Sequence, residues 1–145
     1  MSGSGPEPAR ESGATPPGAP RGLWGRAFRP FFLGLALHGA LMIPLWTSIW
    51  LGGWPPPSWL APTSWHGHEM IFGFGAAAIA GFLLTASPVW SGGPAVVGRP
   101  LAALFGLWAL GRIGFLAADH VPTPLLALVD VAFLPVVAGL VARTL

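Results

Sequence analysis

The run Trp65-His66-Gly67-His68-Glu69-Met70 sets two imidazoles, a carboxylate and a thioether at the mouth of an apolar segment. These groups bind metal ions or move protons. An imidazole with a thioether suits Cu(I), and an imidazole alone is a common axial ligand of haem. On a helix beginning at Trp65, His66 and Met70 share a face while His68 points about 160° away, at 3.6 residues per turn. In a loop, both histidines could converge on one ion. The plainer reading has His66 capping the helix, His68 at a wet interface and Glu69 favouring the positive N-terminal end of the helix dipole.

Three further ionisable residues lie within apolar stretches. His38 sits about 10 Å below the near boundary of the first stretch at 1.5 Å per residue, and ionisable groups at such depth are functional candidates. Gly34 precedes it by one turn and Met42 follows it by one turn, so this face is expected to leave space for a flat ring beside an imidazole and a thioether. His38 and His66 are expected toward opposite leaflets, too far apart to share one ion. Arg112 and Asp130 come out at similar depths on antiparallel neighbours, about 17 Å and about 10 Å from opposite edges of a core about 30 Å thick. They can pair, either as a structural ion pair or as part of a site. Arg112 could also grip an acidic ligand group such as a haem propionate. Gly73, Ala77 and Gly81, with Gly75, form a stripe of small residues that lets helices approach closely. Phe72, Phe74 and Phe82 read as lipid or core contacts, and Asp119 with His120 reads as solvated. No Ser-His-Asp arrangement, phosphate loop or paired-carboxylate site can be placed, which leaves enzymatic activity open and weighs against it.

The elements that must carry these groups follow from composition. Apolar residues make up 53% of the 145 and charged residues 8%, with several stretches of about 20 apolar residues, enough to cross a bilayer. The expected fold is all-α: a membrane-embedded bundle of four transmembrane helices at about 31–51, 68–87, 101–118 and 123–142, forming a region 23–145. Residues 1–22 are rich in Gly, Pro, Ser and Ala and read as a disordered cytoplasmic tail without a secretory signal. Arg29-Pro30 opens the first helix and Pro44 is expected to kink it. The net charge of +2 from seven arginines and five acidic residues argues against a nucleic-acid surface. With no cysteine, thiolate sites and disulfides are excluded, so a metal must be held by His, Glu, Asp, Met or backbone oxygen.

Arginine placement gives the orientation. Arg10, Arg21, Arg26 and Arg29 precede the first helix, Arg99 lies between the second and third, and Arg143 follows the fourth, while the opposite loops carry no Lys or Arg. Positive charge stays on the cytoplasmic side, so both termini are expected there and the His66 region at the outer face. Trp46, Trp50, Trp54, Trp59 and Trp65 gather at that outer boundary, where tryptophans anchor.

Taken together, Phe28-Arg29-Pro30-Phe31-Phe32, Ile43-Pro44-Leu45-Trp46, Trp65 to Phe74 and Ala80-Gly81-Phe82-Leu83-Leu84-Thr85-Ala86 resemble the N-terminal third of the NnrS family. Gly111-Arg112 and Asp130-Val131-Ala132-Phe133-Leu134-Pro135 extend the resemblance, which covers about Gly25 to Arg143. It implies a multi-pass protein of the bacterial inner membrane, associated with haem and copper and linked to denitrification, nitric oxide and nitrosative stress. Under that resemblance His38, His66, His68, Met42 and Met70 are candidate haem or metal ligands, and Glu69, Arg112 and Asp130 are supporting or ion-pairing groups. Family members carry further helices, so the resemblance implies a truncated product or a short variant, completed by the helices of a longer protein or by a homo-oligomer, with the lipid bilayer as its surroundings. Two other readings stay open: a transport or channel subunit with Arg112, Asp130 and Glu69 along a polar path, and a fragment without independent activity.

Overall fold

A computed structural model describes residues 22–55, 58 and 60–145; the expected tail, apart from Gly22, and the expected interfacial Trp59 lie outside the described residues. Four long helices follow one another: α1, Phe28–Trp50; α2, Pro62–Ser91; α3, Arg99–Leu116; and α4, Thr123–Ala142. Each is long and apolar enough to cross a membrane, and the protein is a membrane-embedded helix bundle.

Proline and glycine set the helix ends. Pro62, Pro100 and Pro124 stand in the first turns of α2, α3 and α4, where a missing N–H leaves no helical bond unmade. Gly92 closes α2 in the left-handed conformation, with φ of 72°, and its N–H bonds the Pro88 carbonyl at 2.9 Å. That conformation suits glycine because it has no Cβ to clash. Pro44 lies inside α1, and the Thr47 hydroxyl donates to the Ile43 carbonyl at 2.9 Å just beyond it.

Two expectations about α2 are corrected. The helix begins at Pro62, not at Trp65 or His68, so the Trp65 to Met70 run lies inside the helix rather than at its mouth. Trp65 is buried at 1% exposure, in an apolar cluster with Met42, Ile49, Phe115, Ala118 and Leu126; it is core, not an interfacial anchor. Trp50 and Trp54 do project outward.

Within α2, Glu69–Gly75 is wound as a π-helix between α-helical Pro62–His68 and Ala76–Ser91. In an α-helix a row of every fourth residue drifts by about 40° per step, and the wider π turn reverses that drift. Trp65, Glu69, Gly73, Ala77 and Gly81 therefore keep to the side that meets α1. The approach there is close: a Cβ on Gly81 would stand 2.9 Å from the Phe31 Cβ. The same seam is tied by the Phe28 N–H, which donates to the Thr85 hydroxyl at 3.0 Å.

Lipid tails are as apolar as Leu, so helix association depends on close packing and interhelical hydrogen bonds rather than on apolar burial. Leu37, Leu41 and Ile43 on α1, Ile79 and Phe82 on α2, Ile113 on α3 and Leu128 on α4 face outward, as lipid contacts can. Inside, a second apolar cluster joins Phe31, Ala77, Leu84, Leu101, Trp108, Phe133 and Val137. On every helix one polar residue, or an adjacent pair, separates the residues of the two clusters: His38 on α1, His68 and Glu69 on α2, Arg112 on α3 and Asp130 on α4.

A candidate polar site between the four helices

Arg112 is the hub of this polar layer. Its Nη1 donates to Glu69 Oε1 at 2.8 Å, and its Nη2 donates to Asp130 Oδ1. A guanidinium presents its donors as a rigid fork, so one side chain serves carboxylates from two different helices. The His68 ring spans the same two carboxylates: Nε2 is 2.9 Å from Asp130 Oδ2 and Nδ1 is 3.4 Å from Glu69 Oε1. His38 approaches from the far side, with Nε2 at 3.4 Å from Glu69 Oε2. That contact is ion-pair proximity without a hydrogen bond, and both atoms are buried without another partner among the described residues.

Aromatic rings hold the layer in place. The His68 ring lies parallel to Phe115 at 3.9 Å between centroids and packs on Phe72 at 4.7 Å. Phe115 also lies under the Arg112 guanidinium, 5.6 Å from its ring centre, a cation–π arrangement. Trp108 meets His38 edge-on at 6.0 Å and donates its indole N–H to the Gly73 carbonyl at 2.9 Å. Glycine at position 73 is a packing requirement, because a Cβ there would lie 2.5 Å from His38 Nε2.

The charges define what the layer can do. Two carboxylates face one guanidinium, and both nitrogens of one imidazole face carboxylate oxygens. A neutral imidazole has a single N–H to donate, so filling both His68 contacts takes one proton beyond the neutral ring, on His68 or on a carboxyl. The layer is thus a hydrogen-bonded run of proton-carrying groups, Asp130–His68–Glu69, with His38 close to Glu69 and a fixed cation beside it.

The structure brings His38, His68, Glu69, Arg112 and Asp130 together and leaves His66, Met42 and Met70 outside. Met42 is buried in the cluster around Trp65, and Met70 packs against it. His66 stacks on Trp46 at 4.3 Å and 12°. His66 and His68 therefore face different helices. Their neighbour Glu69 reaches His38 because both lie deeper than the expected helix starts implied, α1 opening at Phe28 and α2 at Pro62.

One expectation about ligand space is corrected. The face of α1 around Gly34 is filled: a Cβ there would stand 2.7 Å from the Phe105 ring and 2.9 Å from Trp108. A flat macrocycle does not fit beside His38. One donor on each terminal nitrogen of Arg112 goes to Glu69 and Asp130, and its Nε is buried without a partner among the described residues. Among the described residues, no three of His, Asp and Glu are arranged to hold a metal ion. In the polar layer, the guanidinium occupies the position between the carboxylates.

Sequence reasoning missed the roles of Trp108 and Phe115. The signal available was spacing: Trp108 and Phe115 stand four residues before and three after Arg112, on its face of the helix. Asp119, expected to be merely solvated, accepts from the Ser58 hydroxyl at 2.6 Å and from the Ser58 N–H at 3.1 Å. These two bonds, the hydroxyl's first, hold its carboxyl below the usual carboxylate range.

Helices of membrane-spanning length around a buried Arg–carboxylate–histidine layer define an integral membrane protein with an ionisable interior. The chain matches the family model described as NnrS protein over residues 22–145, and it belongs to the NnrS family. Comparison with curated proteins and with solved structures gives no match.

Proposed function

We propose that this chain acts as an NnrS-type protein of the bacterial inner membrane, with both termini cytoplasmic, that binds haem or copper and serves a nitric-oxide or nitrosative-stress response linked to denitrification. Family membership supports the setting. The observation that carries the metal reading is His66 Nδ1, a buried ring nitrogen without a hydrogen-bond partner among the described residues. It stands outside the polar layer, on Trp46, which itself packs against the cluster containing Met42 and Met70. Imidazole with thioether donors matches the preference of Cu(I), so His66, Met70 and Met42 are the residues that fit copper. For haem, His66 would offer a ring nitrogen, whereas His38 is hemmed in by Trp108 and Gly73. Bound copper would supply a one-electron redox centre. The chain's own part is to present the imidazole in an apolar, water-poor setting and to hold its ring against Trp46.

Purified protein in detergent, assayed for iron and copper and recorded in the visible range, tests this reading. His66→Ala is expected to lower the bound metal and Met70→Leu to lower bound copper, while His38→Ala leaves most of it. Protein carrying neither metal, or metal content indifferent to His66, would refute the proposal.

The gathering of Asp130, His68, Glu69 and Arg112 in one hydrogen-bonded layer favours a second reading, a transport or channel subunit with these groups along its polar path. An uptake assay that responds to Arg112→Ala with no metal present would support that reading over the first.

A further inference from the structure

The end of the bundle where α1 and α3 begin gathers arginines that have no carboxylate to meet. Arg26, Arg29 and Arg99 are exposed there, and among the described residues the only arginine with an ion pair is Arg112. The described acidic side chains lie elsewhere, Glu69 and Asp130 in the polar layer and Asp119 at the other end. The backbone draws the three arginines together. The Gly98 N–H donates to the Trp24 carbonyl at 2.8 Å, and the Trp24 ring meets Phe105 edge-on at 5.9 Å, which docks the segment leading to Arg26 on the start of α3, next to Arg99. Arg29 turns back, and its Nη1 donates to the Gly22 carbonyl at 2.6 Å. A guanidinium has five N–H donors, so that bond leaves Arg29 with capacity for an anion.

Apolar surface lies directly against this charge. The Arg29 guanidinium is 5.9 Å from the Phe28 ring centre, the Phe28 ring is 6.4 Å from that of Phe32, and both rings are exposed, as is Leu23. Phe32 stands one helical turn beyond Phe28 in a helix of membrane-spanning length, so the arginines come at the depth of lipid headgroups and Phe32 at the edge of the hydrocarbon. A free phosphate would use only the guanidiniums, whereas a phosphodiester bearing acyl chains uses both surfaces. Arginines clustered at the end of a membrane helix attract anionic headgroups. We propose that Arg26, Arg29 and Arg99 bind the headgroup of an anionic phospholipid, with Phe28 and Phe32 against its acyl chain. The proposal rests on the membrane bundle and is independent of the metal reading, because none of these residues is among those that fit copper.

The test is native mass spectrometry of the purified full chain in detergent, titrated with dioleoylphosphatidylglycerol and with dioleoylphosphatidylcholine, which differ in headgroup charge alone among their binding surfaces. Phosphatidylglycerol is expected to bind saturably and at least about tenfold tighter than phosphatidylcholine. Arg26→Gln and Arg99→Gln, exposed and with no ion pair to lose, are each expected to weaken phosphatidylglycerol binding about fivefold, the effect of one arginine at a lipid surface, and to leave phosphatidylcholine binding unchanged. Should either variant fail to fold, raising the salt to about 0.5 M on the unaltered chain keeps the test decisive, since screening is expected to remove most of the preference. Equal affinity for the two lipids would overturn the proposal, as would a preference unchanged in the variants or by salt. Displacement of the bound lipid by millimolar inorganic phosphate would also overturn it, since that result marks the arginines as a site for the free anion.

Discussion

Arg112 carries more of the interior than any other side chain. Its fork is shared between Glu69 and Asp130, and its removal leaves two carboxylates buried with only histidines to face. Breaking a buried ion pair from one side costs about 3–5 kcal/mol, so Arg112→Ala is expected to lose that much stability, read as unfolding in detergent mixtures; a loss under 1 kcal/mol would mean that water already solvates the layer. The pairing of Arg112 with Asp130 was legible from depth counting along two antiparallel helices. Glu69 was already grouped with that pair as a supporting or ion-pairing residue, whereas the participation of His68 and His38 was not legible. It depends on α2 starting at Pro62 and on the π turn, and the sequence offers no periodic signal for a π turn in a helix whose faces are nearly all apolar.

At the scale of elements, the seam between α1 and α2 is set by small residues. Gly73 meets His38, Ala77 is fully buried, and Gly81 lies against Phe31. The spacing of these residues announced a close approach, and the structure supplies the partner, α1. A Gly81→Val substitution would push the helices apart at Phe31 and stretch the bond from the Phe28 N–H to Thr85. Overpacking of this kind costs about 1–3 kcal/mol. Lower thermal stability is expected, together with faster hydrogen exchange at the Phe28 amide; unchanged exchange would show that the seam yields elsewhere. The four apolar segments were readable from length and hydropathy, with end errors of a few residues at most helix termini. The start of α2 was the exception: Pro62 stands in the first turn, six residues before the expected start at His68.

For the whole molecule, the arrangement of charge is lopsided. Arg26 and Arg29 begin α1, Arg99 begins α3, and Arg143 follows α4, all at one end of the bundle, while Asp119 lies at the other. Under the positive-inside tendency, a fluorescent reporter that folds only in the cytoplasm is expected to light up when fused to either terminus, and a periplasm-dependent phosphatase is expected to stay inactive at both. An active phosphatase at either end would reverse or break the proposed orientation. The polar layer lies between the two apolar clusters, away from both ends of the bundle.

Composition and segment length alone determined a membrane bundle of four apolar helices, the exclusion of thiolate chemistry and the presence of ionisable groups deep within the helices. These properties are local: they follow from hydropathy summed over about 20 residues and from the cost of charge in lipid. Which of those groups meet was decided only by tertiary structure. The rotation of each helix about its axis, the start of α2 and the π turn determine that Glu69 faces Arg112 and His38 while His66 turns to Trp46. An imidazole reads the same in sequence whether it bridges two carboxylates or stacks on an indole; its neighbours come from other helices, and packing chooses them.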